Sequence, residues 1–151
     1  MDQIFQWLIL FCGINNFHIS GGAVVNPDRP FQLEHKQSNL FLNENLKFVE
    51  SKQQAATFML ESYSSSRRTD RYIKEVKSGK VFDIRGGCNG RNVILYNKSG
   101  ANNQLFFVYM TGAIQTFCDR YRYLTMDAER NLISEDADYS NKEKYYFKFI
   151  Q

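Results

Sequence analysis

Phe41, Phe82 and Leu124 sit in three similar short runs, Leu40-Phe41-Leu42, Val81-Phe82-Asp83 and Tyr123-Leu124-Thr125-Met126, at intervals of 41 and 42 residues. A period of this length marks copies of one supersecondary unit. The flanking copies repeat the outline of the middle one without its polar residues. No copy can bury its apolar face alone, so three must close on each other around a shared core. A chain of 151 residues is one domain's worth and long enough to bury that core.

Within each copy the pattern is short apolar runs bounded by Gly, Asn, Ser and Asp, which predicts closely spaced strands. The first copy has Phe31-Gln32-Leu33, 39–42, 46–49 and 57–60; the second has Tyr72-Ile73, 81–84, 93–96 and 104–108. The third has Ala113-Ile114, 123–126, Leu132-Ile133 and 145–149. Alternation at Phe58/Leu60, Phe106/Val108 and Phe147/Phe149 points two apolar side chains of each closing strand to one face, the core face. Closing strands are spaced more widely between the first and second copies, and Ser64 to Asp70 is the polar surface loop that takes up the extra length. Residues 53–56 read as a turn or a single helical turn. The expected fold is all-β, a β-trefoil of three pseudo-symmetric repeats at about 31–70, 71–111 and 112–151, preceded by an apolar N-terminal segment.

That segment, Ile4 to Ile14, is followed by the small residues Ser20-Gly21-Gly22-Ala23. It is shorter than the roughly 20 residues that cross a bilayer and has the length of a signal-peptide core. Asp2, with no Lys or Arg before the run, departs from that pattern. Residues 1–22 are therefore expected to be a signal peptide or an N-terminal anchor, and 23–151 the trefoil. Secretion is the expected localisation, with association to a membrane or surface through the N-terminal segment as the alternative. Under secretion Cys88 and Cys118, both in predicted loops, become a candidate disulfide; otherwise they are two unpaired small residues.

The formal charge of +3 is small and scattered, unlike the concentrated basic stripe of a nucleic-acid binder. Arg67, Arg68 and Arg71 read as a solvated loop. Glu135-Asp136-Ala137-Asp138 lacks the spacing of a calcium loop. Neither His18 nor His35 has a Ser or Cys partner at a motif spacing, so no catalytic group, metal or cofactor is expected.

The middle copy carries a family resemblance. Gly79-Lys80-Val81-Phe82-Asp83-Ile84, Asn89-Gly90, Val93-Ile94-Leu95-Tyr96 and Asn103-Gln104-Leu105-Phe106 resemble one repeat of the ricin B-type β-trefoil lectins, with Phe106 where that family closes on Trp. The resemblance is good over about Gly79 to Ile114 and fades on either side. It implies a sugar site in which Asp83 accepts from hydroxyls, Tyr96 stacks on the ring, and the polar pair Asn103 and Gln104 binds a hydroxyl and braces the aspartate. The residue types suit this: a carboxylate is a multi-site acceptor, an amide both donates and accepts, and a Tyr face is a flat apolar platform. Ile94 stands where the family has a further polar contact, and the family's cysteine pair falls near Val81 and Asn97. With Leu42 and Thr125 aligned to Asp83, one galactose-type site is expected, with glycans or glycoproteins as partners. Asn97-Lys98-Ser99 is an N-glycosylation sequon beside it. The last repeat also resembles the closing repeat of fibroblast-growth-factor and interleukin-1-like cytokines, which implies instead a trefoil that binds a cell-surface protein.

Overall fold

Fourteen short strands follow one another with no long helix among the described residues. The computed structural model of the chain describes residues 17–19, 22–63 and 69–151. The strands are β1 (Phe17–Ile19), β2 (Gly22–Val25), β3 (Gln32–His35), β4 (Leu40–Leu42), β5 (Phe48–Val49), β6 (Phe58–Ser62), β7 (Arg71–Glu75), β8 (Val81–Ile84), β9 (Val93–Tyr96), β10 (Phe106–Val108), β11 (Ile114–Thr116), β12 (Arg122–Met126), β13 (Leu132–Asp136) and β14 (Phe147–Ile150). Each repeat also has one 3-10 turn just before its closing strand, at Lys52–Gln54, Asn102–Gln104 and Lys142–Tyr145.

Six strands form a closed ring. β6 pairs with β7, β7 with β10, β10 with β11, and β14 with β3. Single bridges complete the circuit, Phe31 to Phe58 between the first and last strands of repeat one, and Ala113 to Tyr146 beside β11 and β14. Closure of this kind removes the exposed sheet edges that an open arrangement would leave. The hairpins β4–β5, β8–β9 and β12–β13 cover one end of the ring. They touch through backbone bonds, Leu132 N–H to the Leu46 carbonyl and Ser134 N–H to the Arg91 carbonyl.

The core is the shared product of the three repeats. Phe31, Leu33, Phe48, Phe58, Ile73, Phe82, Ile84, Phe106, Ile114, Leu124 and Phe147 are buried in one cluster. Phe82 sits between Phe58 and Phe106, with centroids 5.3 and 6.3 Å away in edge-to-face geometry, the arrangement that ring quadrupoles favour. Phe58, Phe106 and Phe147, expected to face inward, do so.

Two details differ from the sequence reading. Phe106 and Phe147 begin their strands, because Gln104 and Tyr145 end 3-10 turns. The alignment of the first repeat is also shifted by one residue. Hairpin closure matches Asn43, Arg85 and Asp127, whose N–H groups bond the carbonyls of Lys47, Asn92 and Asn131. Counting back two residues makes Phe41, not Leu42, the counterpart of Asp83 and Thr125. Leu42 is fully buried and points inward, whereas Phe41 is half-buried. In a strand a slip of one position exchanges the two faces.

β1 and β2 form a hairpin of their own, Phe17 opposite Val25, which straddles the leader boundary expected at residue 22. Ile4 to Ile14, Arg67 and Arg68 lie outside the described residues.

Candidate functional site

Across the β8–β9 ladder Val81 faces Tyr96 and Asp83 faces Ile94. Directly opposed residues share a face, so Asp83 and Tyr96 are diagonal neighbours on the outer side, with Cα atoms about 7–8 Å apart. Phe82 and Ile84 take the alternate positions and are buried in the core. Strand alternation thus presents one carboxylate and one aromatic ring together on the outside of the middle repeat.

The carboxylate is held from both sides. Asn103 Nδ2 donates to Asp83 Oδ1 at 3.0 Å, and Gln104 Nε2 donates to Oδ2 at 2.7 Å. Asn103 Nδ2 gives its other hydrogen to the Ile84 carbonyl at 3.0 Å, and Gln104 Nε2 its other to the Asn97 carbonyl at 2.9 Å. Gln104 Oε1 in turn accepts from the Ser99 N–H at 2.8 Å. Every donor of both amides is therefore engaged.

Roles follow from this bonding. Gln104 is fully buried and joins three segments, so it can orient Asp83 but cannot reach a ligand. Asn103 keeps Oδ1 as an acceptor. Asp83 is 9% exposed, and its two oxygens retain acceptor capacity beyond the one bond each receives. Tyr96 is 56% exposed, a large apolar face open to solvent. Asp83 and Asn103 form an acceptor-rich patch beside the Tyr96 platform, with Gln104 fixing the framework beneath.

The loop joining β8 to β9 is three residues longer than the matching loops of the other repeats, as the Arg85–Asn92 closure against Asn43–Lys47 and Asp127–Asn131 shows. It is anchored twice. Cys88 is disulfide-bonded to Cys118, with Cα atoms 5.4 Å apart. Arg122 Nη2 donates to the Gly90 carbonyl at 3.1 Å and to the Ser134 carbonyl at 2.9 Å. Gly90 is needed there, since a Cβ at that position would lie 2.1 Å from the Arg85 carbonyl oxygen. The sequence reading gave no role at this site to Arg122 or to the Ser99 amide; both act across repeats or through backbone, which a residue pattern does not display.

In the other repeats the same place is not built. Phe41 has no polar head, and the Thr125 hydroxyl donates to the Lys144 carbonyl. Asn97 is exposed at the end of β9. The loop after it is tied down by Lys98, which pairs with Glu61 while Lys74 binds the same carboxylate at 2.7 Å. Those two ammonium groups hold the Glu61 carboxyl below its usual range. No group of three or more metal-ligating side chains occurs among the described residues.

The closed ring, three capping hairpins and threefold repetition match known structures. The chain is similar to a designed threefold-symmetric protein, ThreeFoil, with a TM-score of 0.65 and 15% identity over 81% of this chain and 98% of that one. The fold is a β-trefoil. The Rhizoctonia solani agglutinin gives a TM-score of 0.64 at 15% identity, covering 86% of this chain and 99% of that one. A GH43 β-1,3-galactosidase gives 0.65 at 15% identity over 82% of this chain, which spans 27% of the galactosidase. No protein-family model and no curated protein matches the sequence.

Proposed function

We propose that this trefoil is a secreted carbohydrate-binding module with a single galactose-type site in its middle repeat. The observation that carries the reading is the Asp83 carboxylate clamped by Asn103 and Gln104 on the same face as the exposed Tyr96 ring. Asp83 and the Asn103 carbonyl accept from sugar hydroxyls, Tyr96 stacks on the C–H face of the ring, and Gln104 keeps the carboxylate aimed. Preorganisation matters here because a site that needs no rearrangement loses less binding energy to ordering. The site is shallow, so one sugar binds weakly, on the order of millimolar or about −4 kcal/mol. The module holds a glycan without altering it.

Two further facts support the reading. The fold is shared with proteins named as an agglutinin, a β-1,3-galactosidase and, in Clostridium perfringens, an endo-β-galactosidase that releases GlcNAcα1-4Gal. A structural disulfide suits an oxidising compartment outside the cytosol.

The test is titration of the protein with methyl β-galactoside, followed by amide chemical shifts. Shifts are expected around Asp83, Tyr96 and Asn103, with binding at least tenfold weaker in Asp83→Ala and in Tyr96→Ala. Unchanged binding in both variants rules this site out. Sequencing the N-terminus of exported protein checks secretion, where an intact Met1 counts against a cleaved leader.

A further inference from the structure

Where the second repeat meets the third lies a hollow of about 290 Å³ whose walls are Tyr109, Tyr123, Tyr139, Tyr145 and Tyr146. Five of the nine tyrosines of the chain thus converge on one place. It is not the counterpart of the Asp83 site. That position belongs to Thr125, which is buried and bonded to the Lys144 carbonyl. Tyr123 lies two residues earlier, where the middle repeat has Val81.

Comparison of the two repeats explains why space exists. In the middle repeat the matching volume is filled: the Tyr72 ring packs with Val81, Leu105 and Phe117 in a small buried cluster. Lys98 lies over the Tyr72 ring at 5.3 Å and pairs with Glu61. In the third repeat Ala113 stands for Tyr72, Ala137 for Lys98 and Tyr109 for Glu61. A phenol ring and an ammonium-bearing chain have been replaced by two methyl groups, and both alanines line the hollow.

The walls are also held in place. The Tyr109 hydroxyl donates to Gln115 Oε1 at 2.6 Å, and Gln115 Nε2 donates to the Tyr123 hydroxyl at 3.0 Å. The Tyr145 hydroxyl accepts from the Asp138 N–H at 2.7 Å. Because Tyr123 accepts from Gln115, its own proton remains free for a ligand. At the rim Asp138 and Lys142 bring one charge of each sign, with the Lys142 ammonium 6.0 Å from the Tyr139 centroid.

We infer that this hollow is a second saccharide site, binding the ring of a neutral pyranose. Flat aromatic walls suit the C–H faces of such a ring, and the Tyr123 hydroxyl, Asp138 and Lys142 supply donors and acceptors for its hydroxyls. Opposite rim charges give no net attraction for an anion, and lysines already lie over three of the five rings, Lys142 at Tyr139, Lys144 at Tyr145 and Lys36 at Tyr146, so a cationic ligand meets like charge. The ligand class rests on the carbohydrate-binding reading above; the place does not. Two sites on different repeats would let one chain engage a branched or repeated glycan with greater avidity than either site gives alone.

The experiment is a titration of the full chain with methyl β-galactoside and methyl β-glucoside, read by amide shifts and repeated in three variants. Shifts at Tyr109, Tyr123 and Tyr139 are expected with one or both sugars. They should persist in Asp83→Ala and weaken at least tenfold in Tyr139→Ala, an exposed position with little bearing on folding. Ala113→Tyr, which installs the side chain the middle repeat uses, should abolish them. Shifts confined to the surroundings of Asp83 would overturn this site while leaving the proposed function intact. Shifts confined to the hollow would do the reverse. A proline-rich peptide that moves these tyrosines when neither sugar does would also overturn the inference.

Discussion

Gln104 concentrates more of the local order than any other side chain of the middle repeat. It bonds Asp83, the Asn97 carbonyl and the Ser99 N–H from a fully buried position. Replacing it by alanine leaves a carboxylate oxygen, a carbonyl and an amide without their partner, and an unsatisfied buried group costs about 1–3 kcal/mol. Gln104→Ala is therefore expected to lower unfolding free energy by about 2–3 kcal/mol in urea titration and to weaken sugar binding through a mobile Asp83. Gln104→Glu should fare no better, because it sets a second carboxylate against Asp83. Asn103→Ala removes only one bond to each of its two partners, so its effect on stability is expected to be the smaller. The motif of Asn-Gln before a closing aromatic was legible because residue types carry hydrogen-bonding capacity. The shift of Phe41 against Leu42 was not, since both are apolar and only the pairing register tells an inward from an outward position.

At the scale of elements, the alternating positions of the closing strands, Phe58/Leu60, Phe106/Val108 and Phe147/Phe149, were readable, and so were the turns, because strands of period two and Gly/Asn breaks announce themselves. The 3-10 turns before β10 and β14 were not. Lys142–Tyr145 and Asn102–Gln104 are too short to generate a periodic pattern, and their backbone bonds are local to three or four residues. The pairing of Cys88 with Cys118 was open in the sequence, which holds no information on their separation. In the structure it links the long β8–β9 loop to the segment between β11 and β12, over 30 residues. Closing a loop of that length restricts the unfolded chain by about 3–4 kcal/mol in the loop-entropy treatment. Reduction, or Cys88→Ser with Cys118→Ser, should lower stability by roughly that amount, seen as a melting temperature that falls with added reductant. Because Arg122 anchors the same loop at Gly90 independently, the reduced protein is expected to remain folded at room temperature and to keep some sugar affinity.

For the whole molecule the decisive feature is ring closure, and its seam is where β3 of the first repeat meets β14 of the last. His35 lies in that seam. It is opposite Phe147 in the ladder, its ring meets Phe48 and Phe147 edge-on, its Nε2 contacts the Lys144 carbonyl at 2.8 Å and its Nδ1 the Ser38 hydroxyl at 2.8 Å. A neutral imidazole donating from Nε2 and accepting at Nδ1 fits both partners. Burial lowers its pKa below the usual 6.5, and the bond to the Lys144 carbonyl only partly opposes this. The unfolded chain therefore takes up a proton near pH 6.5 that the folded one refuses until lower pH. Stability is independent of this group above that value and falls as pH drops below it, by at most about 1.4 kcal/mol per pH unit. Carboxyls held below their usual range, such as Glu61, Glu75 and Asp127, add their own loss only under about pH 4.5. Urea unfolding at pH 7.5, 6.5 and 5.5, in a His18→Gln background to silence the other histidine, should show a decline confined to the lower interval. His35→Leu lowers stability at every pH by removing the bond to the Lys144 carbonyl across the seam and the local bond to Ser38, yet its profile over that interval should be flat. An equal slope in the variant would show that acid acts elsewhere than at the closure of the ring.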